Sequence, residues 1–565
     1  MGGGRAILEQ EVLVFTGSYL IDKQTTIKSI LVKQMAQFRR SQHLWLELKI
    51  KLIIAENLIV GGLQKKKILK KNPTSPLGRF FSFRLNGQTP DLSEVMLATL
   101  LRQEKIKYRL RSFDDLFLNS DRITKDLSEC SVVFVSATYL KDLSELMPVV
   151  EKVKRPYNKV VVGGALAGTL CNSWEGSKYV DILAVGYGEY LVPALAPWIK
   201  GLSERPVPLK QGRIQQKNHT LFLYSGVPET LSLDELISPD WENSSRDNNR
   251  NYKMIFYESV RGCPYRCAFC NYPYLFDDTK FRTKSAEKMV RDWKEYALMG
   301  VEYVTCLDSL FTMPKARLVS FCHGLIQENI KIKWICYARA DDLCDEDVVE
   351  LLVKAGCIQV QIGIESGDEQ ILKNMNKRTT VDINQKALLN CRKFNLTTVI
   401  TLIVGFPGDS KTSVDKTIEF LQKAPADFFF VAVFSVRVPG VPILSKENRR
   451  AFELKVLDND YSLSPYWSHV SMNCLEASQQ ARRLTHEVIK QGLSLDATLF
   501  YNEIISFDHK NRQELLGFQK NAYKKAWLVR AFFSFTLSII DFFFARDLKS
   551  TLNNKANGQP GAIKV

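Results

Sequence analysis

Six strand-like runs follow one another from Met254 onward, each separated from the next by a segment with helical periodicity. The runs are short and apolar, whereas segments such as "KSAEKMVRDWKEYALMG" and "TSVDKTIEFLQKA" are amphipathic. Six βα units in series predict a parallel, partial (β/α)6 TIM-type barrel over residues 251–440, with ligands bound at the loops after the strands. The runs are "MIFYESV", "EYVTCLD", "IKWICYA", "IQVQIGIE", "TTVITLIVG" and "FFFVAVFSV".

A second alternating region lies upstream, over residues 80–205. The runs "SVVFVSATY", "KVVVGGA" and "VDILAVGYGE" end in small residues, and "LSEVMLATLLRQEKI" has helical periodicity. This pattern predicts a flavodoxin/Rossmann-like α/β domain with helices on both faces of a parallel sheet. Glycines just after the strands favour a ligand site at the carboxyl edge, and tight βα turns are the alternative. We expect residues 206–250 to be a linker and residues 441–565 to form a mainly helical C-terminal cap.

The formal net charge of +16 is concentrated near the N-terminus. Residues 1–80 hold 14 Lys/Arg against 5 Asp/Glu, so we expect a basic N-terminal extension over residues 1–79. Its run "QKKKILKKNPTSP" is typical of a solvated linker, with an RNA or anionic-membrane contact as the alternative. No aromatic residues interleave with these lysines, so nucleic acid is not an expected partner.

Near the other end, "AWLVRAFFSFTLSIIDFFFARD" is strongly apolar. Ten residues separate Arg530 from Asp541, fewer than the about 20 needed to span a bilayer. We expect a helix packed on the enzyme body, with a peripheral membrane contact as the alternative. No secretory signal pattern is found at the N-terminus, which predicts a cytoplasmic protein whose nine cysteines outside one cluster are buried thiols.

That cluster is the run "RGCPYRCAFC", which follows the first barrel strand. A structural zinc site needs four ligands, and no histidine lies near these three cysteines. Thiolates also select iron–sulfur clusters, and three thiolates on a four-iron cluster leave one iron open to a small molecule. We predict a [4Fe–4S] cluster on Cys263, Cys267 and Cys270, with zinc as the weaker alternative.

The same motif resembles the signature of radical S-adenosylmethionine (SAM) enzymes. In that family the open iron is chelated by the amino and carboxylate groups of SAM, and one electron cleaves SAM to a 5′-deoxyadenosyl radical. "GIESGDEQILKNMNK" resembles the family's fourth-strand ribose motif, and "TLIVGFPGDS" resembles its fifth-strand motif, with Thr401 where glycine is common.

The resemblance implies SAM contacts at the ends of several strands. They are Phe269, Ile403 and Gly405 at the adenine, Asp308 at the methionine amine, Arg339 at the carboxylate, and Glu365 and Ser366 at the ribose. An ordinary ion pair at the end of the barrel is the alternative for Asp308 and Arg339.

The domain before the barrel resembles the cobalamin-binding domain of cobalamin (B12)-dependent radical SAM enzymes, through its "VVVGGALAG" and "VGYGE" loops. The Asp-x-His-x-x-Gly motif that gives cobalt a histidine in mutases is absent, so the resemblance implies cobalamin held without a protein histidine. A sheet that has lost its cofactor is the alternative. The implied cobalamin-binding residues are Ser136, Thr138, Gly163, Gly164, Gly186 and Glu189.

The resemblance implies a methyltransferase that moves a methyl group from methylcobalamin to an unactivated carbon of a natural-product, peptide or lipid-like substrate. It also implies an electron donor such as flavodoxin or ferredoxin. The alternatives are a cobalamin-dependent radical cyclase or rearrangement enzyme, a cobalamin-free radical SAM enzyme, and a non-catalytic sensor. Methylthio transfer is not expected, because that class has three more cluster cysteines in its N-terminal domain, whereas residues 76–250 contain only Cys130 and Cys171.

Overall fold

The structure is a computed structural model, and it describes residues 11–16, 48–49, 52, 55–56, 89–118, 120–138, 140, 142–230, 232–243, 252–275, 279–435, 440–456, 466–497, 507 and 509–556. These residues form two seven-stranded sheets covered by helices, followed by a mainly helical C-terminal region. The predicted α/β class is confirmed.

The first sheet has the strand order of flavodoxin-like proteins. Its order is β2-β1-β3-β4-β5-β7-β6, and all neighbours are parallel except β6 and β7. In a 2-1-3-4-5 sheet, ligands bind at the carboxyl edge near the switch point between β1 and β3. The strands are β1 (Glu11–Phe15), β2 (Lys107–Arg111), β3 (Val132–Ser136), β4 (Lys159–Gly163), β5 (Ile182–Val185), β6 (Arg213–Lys217) and β7 (Thr220–Tyr224).

Three of these strands come from outside the range predicted for this domain. β1 belongs to the segment that we predicted as a basic extension, and the β6–β7 hairpin belongs to the predicted linker. β1 is nevertheless an inner strand, with Val14 paired to both Leu110 and Phe134. The structure therefore corrects both boundaries. The sequence did not predict these boundaries because a strand pairs with its neighbours in space, which need not be close in sequence. β1 ends at Phe15, and its partner β2 begins only at Lys107.

Helices cover both faces of this sheet. Every residue of β3 is buried, as expected for an inner parallel strand. One face packs around Leu13, Val133 and Leu183, and the other around Val14, Phe134 and Ile182. The helices are α1 (Leu92–Gln103), α2 (Phe113–Leu118), α3 (Ser120–Glu129), α4 (Leu143–Val153), α5 (Ala165–Leu170) and α6 (Gly188–Ile199).

The second sheet is an open parallel barrel with the order β19-β15-β14-β13-β12-β11-β8. The six predicted strands are confirmed, and a seventh, β19, pairs in parallel with β15. β19 lies in the range predicted as the cap and is only two residues long, too short for a periodic signal. The strands are β8 (Met254–Tyr257), β11 (Tyr303–Cys306), β12 (Lys333–Ala338), β13 (Cys357–Glu365), β14 (Thr397–Val404), β15 (Phe428–Val433) and β19 (Leu495–Asp496).

Helices surround the barrel, and aromatic side chains fill the space beneath them. Trp293 lies edge-on to Phe321 and Trp334, with ring centroids 5.0 and 5.9 Å apart. Such pairs stabilise a core beyond the apolar area that they bury. The helices are α7 (Ala286–Leu298), α8 (Lys315–Gln327), α9 (Ala340–Leu343), α10 (Glu346–Lys354), α11 (Glu369–Asn374), α12 (Val381–Lys393) and α13 (Lys411–Lys423).

The C-terminal region closes over the barrel. A small antiparallel sheet of β16 (Lys455–Val456), β17 (Trp467–His469) and β18 (Met472–Asn473) lies among four helices. Two ion pairs tie residues of the predicted N-terminal extension to these helices, Lys49 to Asp541 at 2.6 Å and Glu56 to Arg482 at 3.0 Å. The helices are α14 (Lys446–Ala451), α15 (Cys474–Gln491), α16 (Arg512–Lys525) and α17 (Trp527–Ala556), with α14 preceding the small sheet.

Candidate active site

The three cysteines lie on one loop after β8, between two short paired strands, β9 (Val260–Arg261) and β10 (Arg282–Thr283). Gly262 has a φ of +71°, and a Cβ there would lie 2.1 Å from the carbonyl oxygen of Lys280. Only glycine fits this conformation and this close approach. The N–H of Ala268 donates to the carbonyl of Met375 at 2.7 Å, so the loop is also fixed to the residues after β13.

The thiols fit an iron–sulfur cluster better than a single metal ion. Burial raises the pKa of Cys263, and it raises the pKa of Cys270 to about 11. Metal binding must therefore displace protons from these thiols. Among the residues that the structure describes, no three Cys, His, Asp or Glu side chains converge as ligands of one ion. Three thiolates on one loop suit an iron–sulfur cluster with one iron left open, whereas a structural zinc site needs a fourth ligand.

Asp308 is fully buried beneath the start of the cysteine loop. Its carboxylate accepts hydrogen bonds from the N–H and hydroxyl of Ser259, both at 2.6 Å, and from the N–H of Val260 at 2.7 Å. Burial raises its pKa to about 6 despite these donors. The hydrogen bonds of Asp308 thus hold the backbone that leads to Cys263. A contact with the SAM amine stays a prediction.

Arg339 connects the cysteine loop to the residues after β13. Its guanidinium stacks over the ring of Tyr265 at 3.9 Å, pairs with Asp341 at 2.7 Å and donates to the carbonyl of Lys377 at 2.7 Å. The ion pair is the arrangement that we named as the alternative to a SAM contact. Its contact with the SAM carboxylate also stays a prediction.

Glu365 ends β13 in a strained conformation, with a φ of +64°. This conformation is energetically costly for a non-glycine residue, and such residues are frequent at active sites. The carboxylate of Glu365 accepts from Lys377 Nζ at 2.8 Å and from the Thr401 hydroxyl at 3.4 Å. Ser366 is buried beside it, and its hydroxyl accepts from the N–H of Asp368 at 3.1 Å. The structure thus places both predicted ribose contacts at the carboxyl end of the fourth strand.

Lys377 is a candidate site residue that the sequence reasoning missed. Its ammonium is buried, pairs with Glu365 at 2.8 Å and lies 5.7 Å from the centre of the Phe269 ring. Burial opposes the charged form, yet Glu365 and Cys267 hold the pKa of Lys377 above its usual value. Gly363 leaves the necessary room, since a Cβ there would lie 2.2 Å from Glu365 Oε1 and 2.8 Å from Lys377 Nζ. The sequence feature that could have identified Lys377 is its place as the last residue of the motif "GIESGDEQILKNMNK".

The end of the fifth strand is covered by the cap. Gly405 has a φ of +91°, and a Cβ there would lie 2.5 Å from Ala477 and 2.7 Å from the Trp467 ring. His469 stacks on Trp467 and donates from Nε2 to the Gly405 carbonyl at 3.2 Å. Burial lowers the pKa of His469 to about 4, so its imidazole is neutral near pH 7. The close approach of the cap is therefore one physical reason for glycine at this position.

The two other predicted adenine contacts join the apolar cluster formed with the cap. Ile403 and Phe269 are partly buried against this cluster, and the Phe269 ring lies 6.3 Å from that of Phe406. The seven predicted SAM contacts thus lie on the cysteine loop and at the ends of β11 to β14, on the same edge of the barrel. Whether each one touches SAM stays a prediction.

The predicted cobalamin residues lie after three adjacent strands of the first sheet. Ser136 and Gly163 are register partners at the ends of β3 and β4. Gly164 and Gly186 have positive φ values, and a Cβ would collide with Thr138 at 2.7 Å in the first case and with Ser225 at 2.0 Å in the second. These two glycines form tight turns, which was the alternative that we left open. At Gly163 a Cβ would meet only Ala184, at 3.7 Å. Gly163 is therefore the glycine best suited to line a ligand site.

Glu189, the last predicted cobalamin contact, joins the two sheets. It follows β5 in the first turn of α6 and forms an ion pair with Arg261, two residues before Cys263. Arg261 also pairs with Glu258 at 2.9 Å, and its guanidinium lies 4.5 Å over the Tyr187 ring. The carboxyl edge of the first sheet therefore meets the cysteine loop of the barrel.

Residues 257–421 match the family model of the radical SAM superfamily. The chain therefore carries a radical SAM domain, which contains the three cysteines, Lys377 and Gly405. An uncharacterized methyltransferase of Pyrococcus horikoshii is 28 % identical over 218 residues, which are 38 % of this chain and 46 % of that protein. The anaerobic magnesium-protoporphyrin IX monomethyl ester cyclase of Rubrivivax gelatinosus is 23 % identical over 332 residues, 54 % of this chain and 58 % of the cyclase. The matches span about half the length of these curated relatives.

One solved structure extends the likeness to both sheets. The radical SAM methyltransferase TsrM from Kitasatospora setae, with cobalamin and a [4Fe–4S] cluster bound, superposes with a TM-score of 0.55 at 15 % identity. The match covers 77 % of this chain and 96 % of TsrM. At this identity the likeness shows the fold, and it agrees with the succession of a flavodoxin-like sheet, a barrel and a helical cap.

Proposed function

We propose that this protein is a cobalamin-dependent radical SAM methyltransferase that acts on an unactivated carbon. The observation that carries the proposal is the ion pair of Glu189 with Arg261, which joins the carboxyl edge of the first sheet to the loop of Cys263. Cobalamin at that edge would face a cluster on this loop. The radical SAM domain and the fold shared with TsrM support the same arrangement.

When bound, the cluster with SAM would supply the radical that removes a substrate hydrogen, and cobalamin would supply the methyl group. The protein holds these reactants in reaction geometry. Lys377 is the cation best placed to bind the SAM carboxylate, because its buried ammonium lies 5.7 Å from the centre of the Phe269 ring on the cysteine loop. Glu365 orients Lys377, while Gly262 and Asp308 fix the loop that carries the thiols.

The cap would exclude water from this site. Phe434 packs against Phe406 and Trp467 with ring centroids 5.2 and 5.4 Å apart, and the Trp467 indole donates to the Phe434 carbonyl at 2.9 Å. This wall lies next to Phe269 on the cysteine loop. An apolar wall that excludes water prevents a carbon radical or a methyl donor from reacting with solvent.

Cobalamin binding has a test that does not depend on activity. Protein supplied with hydroxocobalamin should retain it through gel filtration in a ratio of about one to one. Gly163→Val should abolish retention and leave the melting temperature nearly unchanged, because the added Cβ makes only ordinary contact with Ala184. Gly517→Val is the control, since Gly517 lies on α16 with open space around it. Full retention by Gly163→Val would remove Gly163 from the cobalamin site.

Methyl transfer is tested by its products. The reconstituted enzyme, a reductant and methyl-labelled SAM are incubated with fractionated small-molecule, peptide and lipid extracts. We expect one fraction to yield a labelled product, with S-adenosylhomocysteine and 5′-deoxyadenosine in about equal amounts, because one SAM gives the methyl group and another the radical. A fraction that stimulates 5′-deoxyadenosine formation without S-adenosylhomocysteine or label would contradict methyl transfer.

Formation of 5′-deoxyadenosine without methyl transfer would indicate a cobalamin-linked cyclisation or rearrangement, which is the second candidate function. The match to the Rubrivivax cyclase favours it, since this match covers 54 % of the chain. We rank methyl transfer first because the TsrM match covers 77 % of the chain and nearly all of TsrM.

We also propose the partners and the compartment. A natural-product, peptide or lipid-like molecule would be the substrate, and flavodoxin or ferredoxin would supply the electron. All twelve cysteines are free thiols, and nine lie outside the cluster loop. Free thiols and an iron–sulfur cluster are both typical of a reducing compartment such as the cytoplasm.

A further inference from the structure

The C-terminal helix α17 packs on the enzyme with one face. Phe533, Leu537, Ile540, Phe544 and Leu548 are at most 5 % exposed. On the same helix, Asp541 pairs with Lys49 and accepts from Gln479 at 2.9 Å. The inner residues Phe544 and Leu548 belong to the apolar cluster that includes Ala268 and Trp467. The helix is thus fixed to the cap of the candidate site.

The opposite face of α17 is apolar and exposed. Its large side chains follow one another at intervals of three or four residues and are between 45 % and 69 % exposed. Elsewhere in the described chain, large apolar side chains this exposed are scattered along the sequence, as Leu298 and Val470 are. A continuous exposed apolar stripe indicates an interaction surface. Its residues are Leu528, Phe532, Phe535, Ile539 and Phe542, with Trp527 at the N-terminal end.

Basic side chains stand at both ends of this stripe. Lys524 and Lys525 precede it, and Arg546 and Lys549 follow it, all exposed. Residues 524–549 contain five Lys/Arg against two Asp/Glu, and the Asp541 carboxylate is already paired with Lys49. Two copies of α17 packed together would bring basic ends against basic ends in either orientation, which is destabilising. An anionic surface complements both ends.

The stripe has the dimensions of a helix that lies flat on a membrane. From Leu528 to Phe542 it extends about 21 Å at 1.5 Å per residue, short of the about 30 Å of a bilayer core. By length and composition alone, Trp527–Ser550 could cross a membrane. The ion pair of Asp541 and the packed inner face hold it on the protein instead.

We propose that the outer face of α17 binds the surface of an anionic lipid bilayer, with the helix in the membrane plane. The aromatic and aliphatic stripe enters the interface, and the flanking lysines and arginines contact anionic headgroups. This surface adjoins the cap through Phe544 and Leu548. It does not depend on the reaction proposed above.

The test is flotation of the full-length, cluster-reconstituted protein with two kinds of vesicle. We expect it to float with vesicles of phosphatidylcholine mixed with phosphatidylglycerol, and much less with phosphatidylcholine alone. Charge reversal by Lys524→Glu and Lys525→Glu should weaken flotation and reduce its sensitivity to salt, because basic residues near an anionic surface attract it and salt screens this attraction.

The matched variants separate the stripe from general apolar exposure. Combining Phe532→Ser, Phe535→Ser and Phe542→Ser should abolish flotation without lowering the melting temperature, since these side chains face outward. Leu202→Ser, Leu298→Ser and Val470→Ser remove equally exposed side chains elsewhere and should leave flotation intact.

Four results would overturn the proposal. The first is that the wild-type protein floats with neither kind of vesicle, and the second is that the triple phenylalanine variant floats as well as the wild type. The third is that the bound protein resists alkaline extraction, which would indicate a spanning helix. The fourth is a wild-type dimer by light scattering that the triple variant dissociates while neither form floats, which would make the partner a second copy.

Discussion

Replacing Cys263, Cys267 or Cys270 by alanine should remove bound iron and sulfide from the reconstituted protein, and 5′-deoxyadenosine formation should fall to background. We expect the loss to be complete because these three thiols are the only protein ligands predicted for the cluster. The loop around them is held by the positive φ of Gly262 and by the hydrogen bond of Ala268 to Met375. A remaining pair of thiols cannot recruit a substitute ligand without breaking these contacts.

Matched controls come from the other cysteines of the barrel. Cys306, Cys336 and Cys357 are buried in its core, and burial raises the pKa of Cys306 and Cys336 well above the usual range. Their alanine variants should keep the full iron content, at a stability cost of about 1 kcal/mol for a small buried side chain. The measurement is iron and sulfide per chain together with the melting temperature. Zinc without iron in the unchanged protein, or an intact cluster in a Cys267→Ala variant, would refute the assignment.

The sequence predicted the features that depend on local periodicity. Six barrel strands were visible because each apolar run is separated from the next by an amphipathic helix such as α7, and the parallel pairing follows from that alternation. The place of the cysteines after the first strand followed in the same way. The flavodoxin-like order was predictable only as a class, because β1 lies far from its partners in the chain.

The contacts that connect distant segments could not be predicted from the sequence. The sequence spacing places Asp308 at a strand end, but it does not show that Ser259 and Val260 donate hydrogen bonds to its carboxylate. The glycines "GG" and "GYG" indicated a ligand edge, yet the collisions of Gly164 with Thr138 and of Gly186 with Ser225 show two of them shaping turns. Tertiary packing decides such cases, because both roles require the same residue.

Lys377 is the residue whose replacement should most affect SAM without removing the cluster. Its ammonium is buried, lies 5.7 Å from the centre of the Phe269 ring on the cysteine loop and is held by Glu365. A hydrogen bond to a charged group contributes about 1.5–3 kcal/mol, so Lys377→Met should weaken SAM binding about 10- to 150-fold. The measurement is equilibrium dialysis of labelled SAM against reconstituted protein of known iron content. Lys373→Met is the control, because Lys373 is an exposed lysine just upstream on α11.

Removing Lys377 alone also leaves the Glu365 carboxylate buried without its ion pair, and breaking a buried pair costs about 3–5 kcal/mol of stability. The double variant Lys377→Met, Glu365→Gln removes both charges and should recover most of the lost melting temperature. Because Glu365 is itself a predicted ribose contact, the single variant Glu365→Gln is the reference for SAM binding. If Lys377 binds the SAM carboxylate, the double variant should bind SAM more weakly than Glu365→Gln, whereas Lys377→Arg, which keeps the charge, should retain part of the affinity. Equal SAM binding by the double variant and Glu365→Gln would assign Lys377 to the fold and leave Arg339 as the cation for the carboxylate.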